Sequence, residues 1–397
     1  MAVIGRQFGP QNISEKSLQS EEYSMLRIIF TLDYEIHGNG EGYPHDLMIE
    51  PTDRLRRLCE KYGAKLTIMA DVAEILKFKE YKEKNGRDDY SYDAIVDQLR
   101  SAIKNGHDVQ LHIHSSYFNA THDNGYWIQD WSEYDFAGLP YERINWMIGT
   151  CKQFLESMLR PVDPTYRCVA FRAANWSVSP SKNVVRALVD HDIKIDTSIF
   201  QYGFRKGIVN FDYSQAYSPI VPWRVKEDDM CGRDDTGSLW ELPIYSEKRW
   251  IGAFLTSNRI FRTFMSFRHK IHQDGRISSQ VKTHAAPVGE GWLATVAPDT
   301  QGEGWLATLL QKHAWKADFN QCGSKQLINA LHRASRRYDP RKDKVLPFIL
   351  IGHPKLFTQR NERDLAFFLA HCAQHPDKFG FDTLNGINQF KKQWETL

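Results

Sequence analysis

The chain alternates between short apolar stretches and longer segments in which apolar residues recur at helical spacing. The short apolar stretches predict strands at 25–35, 65–72, 107–114, 168–173, 193–200, 238–246 and 345–357. The segments with helical spacing predict helices at 51–63, 92–106, 141–160, 183–192 and 362–374. Strands that alternate with such helices predict parallel βα units. Because the strands are short and almost continuously apolar, we expect a sheet covered on both faces, or a barrel.

The alternation covers most of the chain, and two regions depart from it. Residues 1–24 are polar and predict a flexible arm, whereas residues 25–397 are long enough for a single large domain. Between 201 and 345 the pattern is irregular and contains many Pro, Gly and Asp residues, which indicates an insertion or cap. Within this region GEGWLAT occurs at 289–295 and again at 302–308, and two copies are too few for a repeat architecture.

Composition and charge indicate which kinds of binding partner can be expected. Hydrophobic residues make up 42% and charged residues 25% of the 397 residues, as in ordinary globular proteins. The formal net charge is +2 and no long run of Lys or Arg occurs, so we expect no nucleic-acid or anionic-membrane partner. No apolar run approaches the roughly 18–20 residues of a membrane span. The N-terminal residues lack the pattern of a secretory signal, and the six cysteines are scattered without a CxxC pair, which together favour a cytoplasmic protein with reduced thiols.

Polar side chains follow four of the predicted strands. They are Asp33 in TLDYE, His112 in LHIH, Arg172 in FRAANWS and His353 in IGHP. Each of them alone has an ordinary structural explanation, such as a helix cap, a satisfied core histidine or a surface ion pair. In parallel α/β folds, however, the carboxyl ends of the strands converge on one rim, where active sites are built. Four such residues at equivalent strand ends therefore predict one shared site.

These stretches resemble the motifs of the polysaccharide deacetylases of carbohydrate esterase family 4. The shared features are TLDYE at 31–35, GHDVQLHIH at 106–114, FRAANWS at 171–177, DTS at 196–198 and ILIGH at 349–353. They occur in the order typical of that family. The resemblance implies an α/β fold, namely a distorted (β/α)7 barrel, here with an irregular insertion. It also implies metal-dependent hydrolysis of N-acetyl or O-acetyl groups on sugars.

The resemblance implies a role for each residue at the shared rim. By motif position, Asp33 is the general base, His353 the general acid, and Arg172 the cation that keeps the base ionised and oriented. A divalent metal would polarise the acetyl carbonyl and the attacking water. Tyr34 and Trp176 are candidate substrate-binding residues, because a hydroxyl or a stacking ring would contact a sugar there. Packing in the core is the alternative for both.

The chain departs from the common family pattern at two metal positions. Tyr34 stands where the second of two adjacent aspartates is usual, and Ser116 stands where the last histidine of His-x-x-x-His is usual. Glu35 and His114 could replace them, since side chains two apart on a strand share a face. The predicted ligands are then Glu35, His112 and His114, and two imidazoles with a carboxylate suit Zn²⁺ or a similar divalent ion. A metal-free, degenerate site and other ligand sets remain alternatives.

The sequence thus predicts a cytoplasmic hydrolase that removes an acyl group, foremost N-acetyl, from a sugar or glycan precursor. A second interpretation keeps the barrel but hydrolyses another non-peptide C–N amide bond. A third, from a different class, is a non-catalytic carbohydrate-binding scaffold whose metal site has degenerated. The sequence leaves open the acceptor sugar, the identity of the metal and the oligomeric state.

Overall fold

The computed structural model describes residues 26–36, 42–123, 125–260, 311–338 and 344–395 of the chain. Two features of the sequence lie outside these described residues. One is the N-terminal arm predicted at 1–24, and the other is the pair of GEGWLAT copies.

Seven parallel strands form a ring at the centre of the molecule. In ring order they are β1 (Leu26–Tyr34), β2 (Leu66–Asp71), β3 (Asp108–Ile113), β6 (Ala170–Ala173), β7 (Ile195–Asp196), β12 (Trp240–Glu241) and β15 (Leu346–Gly352). β15 pairs with β1 over seven residues, from Leu26 opposite Leu346 to Leu32 opposite Gly352. The chain just after β12 bridges to β15 in parallel and closes the ring. The predicted distorted (β/α)7 barrel is therefore confirmed.

The closure between β12 and β15 rests on a few hydrogen bonds rather than on a long ladder. Ile244 forms an isolated parallel bridge with Ile349, and the Tyr245 N–H donates to the Ile349 carbonyl over 3.0 Å. The Ala317 carbonyl accepts from the Ile351 N–H over 3.0 Å, while the Ala317 N–H donates to the Tyr245 carbonyl over 2.9 Å. We call the segments 244–245 and 317–319 the seam. The seam thus ties residue 245 to residue 317 beside the barrel strands.

The helices cover the outside of the barrel. They are α1 (Glu50–Lys61), α2 (Val72–Asn85), α3 (Tyr92–Lys104), α4 (Tyr141–Leu159), α5 (Lys182–Asp190), α6 (Ser324–Arg337), α7 (Gln359–Ala373) and the short α8 (Lys391–Trp394). The predicted helices correspond to α1, α3, α4, α5 and α7. α2 was not predicted, because it follows β2 without a loop and Asp71 is both the last strand residue and the N-cap. In the described residues, no helix is both long and apolar enough to cross a membrane.

The other strands of the described residues lie outside the ring. They are β4 (Thr121–Asp123), β5 (Tyr126–Ile128), β8 (Phe204–Arg205), β9 (Phe211–Asp212), β10 (Trp223–Lys226), β11 (Asp229–Arg233), β13 (Ser246–Trp250), β14 (Lys312–Lys316) and β16 (Phe379–Asp382). β4 pairs with β5, β8 with β9, and β13 with β14 as antiparallel hairpins or ribbons. The region predicted to contain an insertion or cap thus also supplies β12 and the seam to the barrel itself.

A pair of buried carboxyl groups connects β7 to β12. Asp196 lies opposite Glu241 in the parallel register, and both side chains are fully buried. Burial and the neighbouring Asp196 raise the pKa of Glu241 well above its ordinary range. Asp196, whose pKa burial also raises, accepts from the N–H and the hydroxyl of Ser198, each over 2.9 Å. Burial and the neighbouring carboxyl group therefore favour a proton on Glu241, which could donate it in a hydrogen bond to Asp196.

Replacing Glu241 tests this shared proton. Glu241→Gln should keep the free energy of unfolding at pH 7 within about 1 kcal/mol, since the amide donates the same hydrogen bond, whereas Glu241→Ala should lose about 1–3 kcal/mol. A carboxyl whose folded pKa is raised loses its stabilising contribution as pH rises through that pKa. The free energy of unfolding, measured with urea at a series of pH values above 4.5, should therefore fall more steeply with rising pH for the native chain than for Glu241→Gln. Equal pH slopes would contradict the assignment.

Candidate metal centre and catalytic residues

The candidate site lies at the carboxyl ends of five barrel strands. These ends carry seven side chains: Asp33 in β1 and Glu35 directly after it, Asp71 in β2, His112 in β3 and His114 directly after it, Arg172 in β6, and His353 directly after β15. Most residues along these strands are apolar, as expected for strands covered by helices, and the strand ends at the rim are polar. The structure brings six of the eight residues proposed from the sequence to this rim, and Trp176 lies close by.

A buried ion pair joins Asp33 to Arg172 across the barrel interior. Nη1 of Arg172 lies 2.6 Å from Oδ1 of Asp33, and both side chains are almost fully buried. Nε of Arg172 donates to the Thr197 carbonyl over 2.9 Å, which fixes the guanidinium. Burial alone would raise the pKa of Asp33, but Arg172, His112 and His353 outweigh it and lower that pKa below 3.8. Asp33 is therefore an ionised carboxylate at neutral pH.

Glu35, His112 and His114 form a buried cluster beside this pair. Oε2 of Glu35 lies 3.2 Å from Nε2 of His112 and 3.1 Å from Nδ1 of His114. One ligand atom from each of the three residues lies within 4.8 Å of the other two, and all three are buried. Zn–N and Zn–O bonds of about 2.0–2.2 Å place neighbouring ligand atoms about 3–3.5 Å apart. The cluster therefore fits a divalent ion.

Hydrogen bonds outside the cluster orient the two imidazoles. Nδ1 of His112 lies 2.9 Å from the Arg172 carbonyl, so it carries the proton and leaves the lone pair of Nε2 facing Glu35. Nδ1 of His114 lies 2.8 Å from Oδ2 of Asp71 and also faces Glu35. Two carboxylates around one ring nitrogen favour a proton on it.

The charge state of His114 follows from these neighbours. Burial would lower the pKa of His114, but Glu35 and Asp71 outweigh it, and the pKa is raised above 6.5. A metal must displace the proton from an imidazole before it can bind. Divalent-ion binding at this cluster therefore competes with protonation of His114.

Lys355 holds the second oxygen of Glu35. Its Nζ lies 2.8 Å from Oε1 of Glu35, and it also donates to the Ile36 carbonyl over 3.2 Å. Oε2 remains between the two histidines. Glu35 can therefore offer a metal one oxygen while Lys355 neutralises the other.

His353 faces both acidic residues of β1. Its Nε2 lies 3.7 Å from Oδ2 of Asp33 and 3.8 Å from Oε1 of Glu35, and 18% of its side chain is exposed. Burial lowers the pKa of His353 from 6.5, although Asp33 and Glu35 partly oppose this effect. Because its exposed edge opens to the rim, His353 can reach a bound substrate.

The two proposed substrate-binding residues are placed differently. Tyr34 is fully buried on the face of β1 opposite Asp33 and Glu35, and its hydroxyl donates to Oε1 of Gln98 over 2.7 Å. The structure therefore does not bring Tyr34 to the site. Trp176 is half-buried at the rim, after β6, with its ring edge against Phe200 at 5.4 Å between centroids.

Ser116, which replaces the usual second histidine, lies outside the cluster. Its hydroxyl donates to Oε1 of Gln129 over 2.8 Å, and the residue is buried. Ser116 belongs to the short helix that follows β3, and His114 is the last residue before that helix. His114 thus takes the second imidazole position beside Glu35 that the common spacing would give to residue 116.

Sequence reasoning missed two residues that contact the cluster. Asp71 ends the apolar strand KLTIMAD as Asp33 ends β1, so the strand-end signal that identified Asp33 was present there as well. Lys355 follows His353 by two residues in IGHPK, and no pattern in the sequence pairs it with Glu35.

Comparisons with known proteins give structural likeness at low identity. No protein-family model matches the chain, and no curated protein matches it significantly. A provisionally assigned polysaccharide deacetylase from Mycobacterium smegmatis is 11% identical with a TM-score of 0.48, covering 95% of this chain and 93% of that one. PuuE allantoinase is 10% identical with a TM-score of 0.44 and covers 98% of both chains. A 4-alpha-glucanotransferase from Thermococcus litoralis is 12% identical with a TM-score of 0.43, covering 93% of this chain and 40% of that one. The functional argument therefore rests on the residues of the site.

Removing one imidazole tests the metal centre. We expect the native chain to bind one equivalent of Zn²⁺ or Co²⁺ and His112→Ala to lose stoichiometric binding, because Nε2 of His112 faces the carboxylate of Glu35. Isothermal titration and metal analysis after dialysis measure both. The exposed His122 gives the matched control, and His122→Ala should bind as the native chain does. Unchanged binding by His112→Ala would exclude this ligand set.

Asp71→Asn tests the contact outside the cluster. Loss of the carboxylate that contacts His114 should weaken divalent-ion affinity by about 10–100-fold. The affinity of the native chain for the divalent ion should rise with pH, because His114 loses its proton. Since Asp71 helps to raise the pKa of His114, Asp71→Asn should reach its maximum affinity at a lower pH. Titrations at several pH values measure this, with Asp123→Asn in an exposed hairpin as control. Identical pH profiles for Asp71→Asn and the native chain would refute the contribution of Asp71.

Proposed function

We propose that the protein is a metal-dependent hydrolase that removes an acyl group, foremost N-acetyl, from an amino sugar or a glycan precursor. One observation carries this proposal. An ionised carboxylate, Asp33, is held by Arg172 directly beside a buried Glu35–His112–His114 cluster that fits a divalent ion. Such a pairing of a base with a Lewis-acid site can activate water for attack on an unactivated amide. The amino-sugar substrate follows from the motif resemblance.

Asp33 would act as the general base. Arg172 occupies Oδ1, so Oδ2 is the oxygen available to take a proton from the attacking water. When bound, the metal would polarise the acyl carbonyl and the water, and Glu35, His112 and His114 would hold it. Arg172 keeps Asp33 ionised before the reaction and in position during it.

His353 would act as the general acid. Its Nε2 faces the substrate side of Asp33 and Glu35, so it can deliver a proton to the nitrogen as the C–N bond breaks. The lowered pKa of His353, which burial causes, makes its protonated form a good proton donor to a leaving amine. Water thus adds its oxygen to the acyl carbon, and the amine leaves with the proton from His353.

An intracellular glycan precursor is the substrate that we favour. All six cysteines lie in the described residues, each is free, and five of them are buried. Unpaired thiols of this kind are typical of a reducing compartment. A panel of N-acetyl sugars, sugar nucleotides and simple amides, assayed for released acetate and ammonia, separates deacetylation from hydrolysis of another C–N bond. If the metal-loaded chain hydrolyses none of these compounds, the non-catalytic carbohydrate-binding scaffold becomes the favoured interpretation.

Asp33→Asn is the decisive variant for the mechanism. It should bind the metal as the native chain does, because Asp33 is outside the cluster, and turnover should fall by about 10²–10⁴-fold through loss of the general base. Acetate release and metal content are measured on the same preparation, and thermal unfolding checks that the variant is folded. Near-native turnover in Asp33→Asn would defeat the assignment.

A further inference from the structure

Lys316 lies at the rim of the barrel, where the returning strand β14 ends and the seam begins. Its Nζ is 3.3 Å from the centroid of the Trp176 ring and 4.7 Å from that of Phe200. The side chain is half-buried. An ammonium so close to an aromatic face is held in place by a cation–π contact. Trp176 therefore offers one face to Lys316, and its role at the rim is to position that amine.

The acidic groups around Lys316 are engaged by other partners. Asp33 pairs with Arg172, and Glu35 pairs with Lys355. Asp318, two residues further on, accepts from the backbone and side chain of Gln321 and from the backbone of residue 320. In the part of the chain that the structure describes, no carboxylate oxygen lies within 4.0 Å of Nζ of Lys316. Among the described residues, Lys316 thus has no carboxylate partner.

The ionisation of Lys316 agrees with this shortage of negative charge. Burial lowers the pKa of Lys316 to about 7, and Asp318 and Asp33 raise it only in part, while Arg259 and Arg172 lower it further. These interactions also place Lys316 near the ion pair of the catalytic base. An anion bound at Nζ would supply the missing charge and favour the ammonium form.

We propose that Lys316 recognises an oxyanion, a carboxylate or a phosphate, carried by the substrate close to the acyl group that is removed. The inference rests on the proposed function and narrows its substrate class to acylated sugars that bear a negative charge. A charge-assisted hydrogen bond from Nζ to that oxyanion would fix the substrate relative to Asp33. Trp176 then acts as a positioning residue for Lys316.

Lys316→Met tests the proposal with a side chain of similar length that carries no charge. Turnover is compared for an N-acetylhexosamine, the same sugar carrying a phosphate, and the same sugar carrying a carboxylate. We expect KM for one charged sugar to rise about tenfold or more in the variant, as for loss of a charge-assisted hydrogen bond, with little change for the neutral sugar. The phosphate and carboxylate arms identify which oxyanion is bound. Lys316→Arg should recover most of the affinity.

The matched control lies on the same strand. Lys312 is exposed, and its Nζ lies 5.5 Å from the centroid of the Trp250 ring, so Lys312→Met removes a similar contact from β14. This variant should behave as the native chain towards all three sugars. An equal effect of Lys316→Met on the neutral and the charged sugars would overturn the proposal, since it would mean a role in catalysis or folding. No preference of the native chain for either charged sugar would overturn it as well.

Binding without turnover separates this inference from the proposed function. In the Asp33→Asn background, calorimetry with the sugar phosphate, the sugar carboxylate and inorganic phosphate reports affinity directly. If the native chain releases no acetate but an anion binds in a Lys316-dependent manner, the proposed reaction fails and the anion site stands. If acetate is released and no anion binding depends on Lys316, the anion site fails and the reaction stands.

Discussion

The ion pair between Asp33 and Arg172 is the contact on which the site depends. The two residues are 139 positions apart, and their side chains meet inside the barrel with a separation of 2.6 Å. Losing one partner of such a pair would leave an uncompensated buried charge, at a cost of about 3–5 kcal/mol. Arg172 also accepts from His112 through its carbonyl and donates to the Thr197 carbonyl. Asp33, the candidate metal ligand His112 and the strand that follows β6 are thus linked through one residue.

Much of the fold could be predicted because parallel strands and their helices have distinct apolar periods. Strand-end positions then indicated which residues would meet, since the carboxyl ends of a barrel converge. The alternation of side-chain direction along β1 explains why Asp33 and Glu35 lie at the rim, as expected, and why Tyr34 does not. Asp33 and Glu35 share the face that reaches the rim, while Tyr34, between them, points into the core and bonds to Gln98. A motif-based expectation for Tyr34 could not anticipate this orientation without the strand's place in the barrel.

The contacts around the cluster could not be predicted from the sequence. Asp71 reaches His114, and Lys355 reaches Glu35, only because β2 adjoins β3 and β15 adjoins β1. Such pairs depend on the ring order and on side-chain direction, and neither leaves a periodic signal. The same holds for Lys316, which lies in an irregular region yet returns to the rim beside Trp176. The charge balance of the site thus depends on pairings between residues that no local pattern reveals.

The seam allows the segment between its two parts to vary in sequence separately from the barrel strands. A hydrogen bond of 2.9 Å between the Ala317 N–H and the Tyr245 carbonyl ties together the two ends of the segment between these residues. Because the entropy of closing a loop grows only slowly with its length, sequence can be gained or lost between the tied ends at little thermodynamic cost. This segment can therefore change in length while the barrel strands stay unchanged. Substitutions within it could alter the surroundings of Lys316 without altering Asp33, Arg172 or the candidate metal ligands.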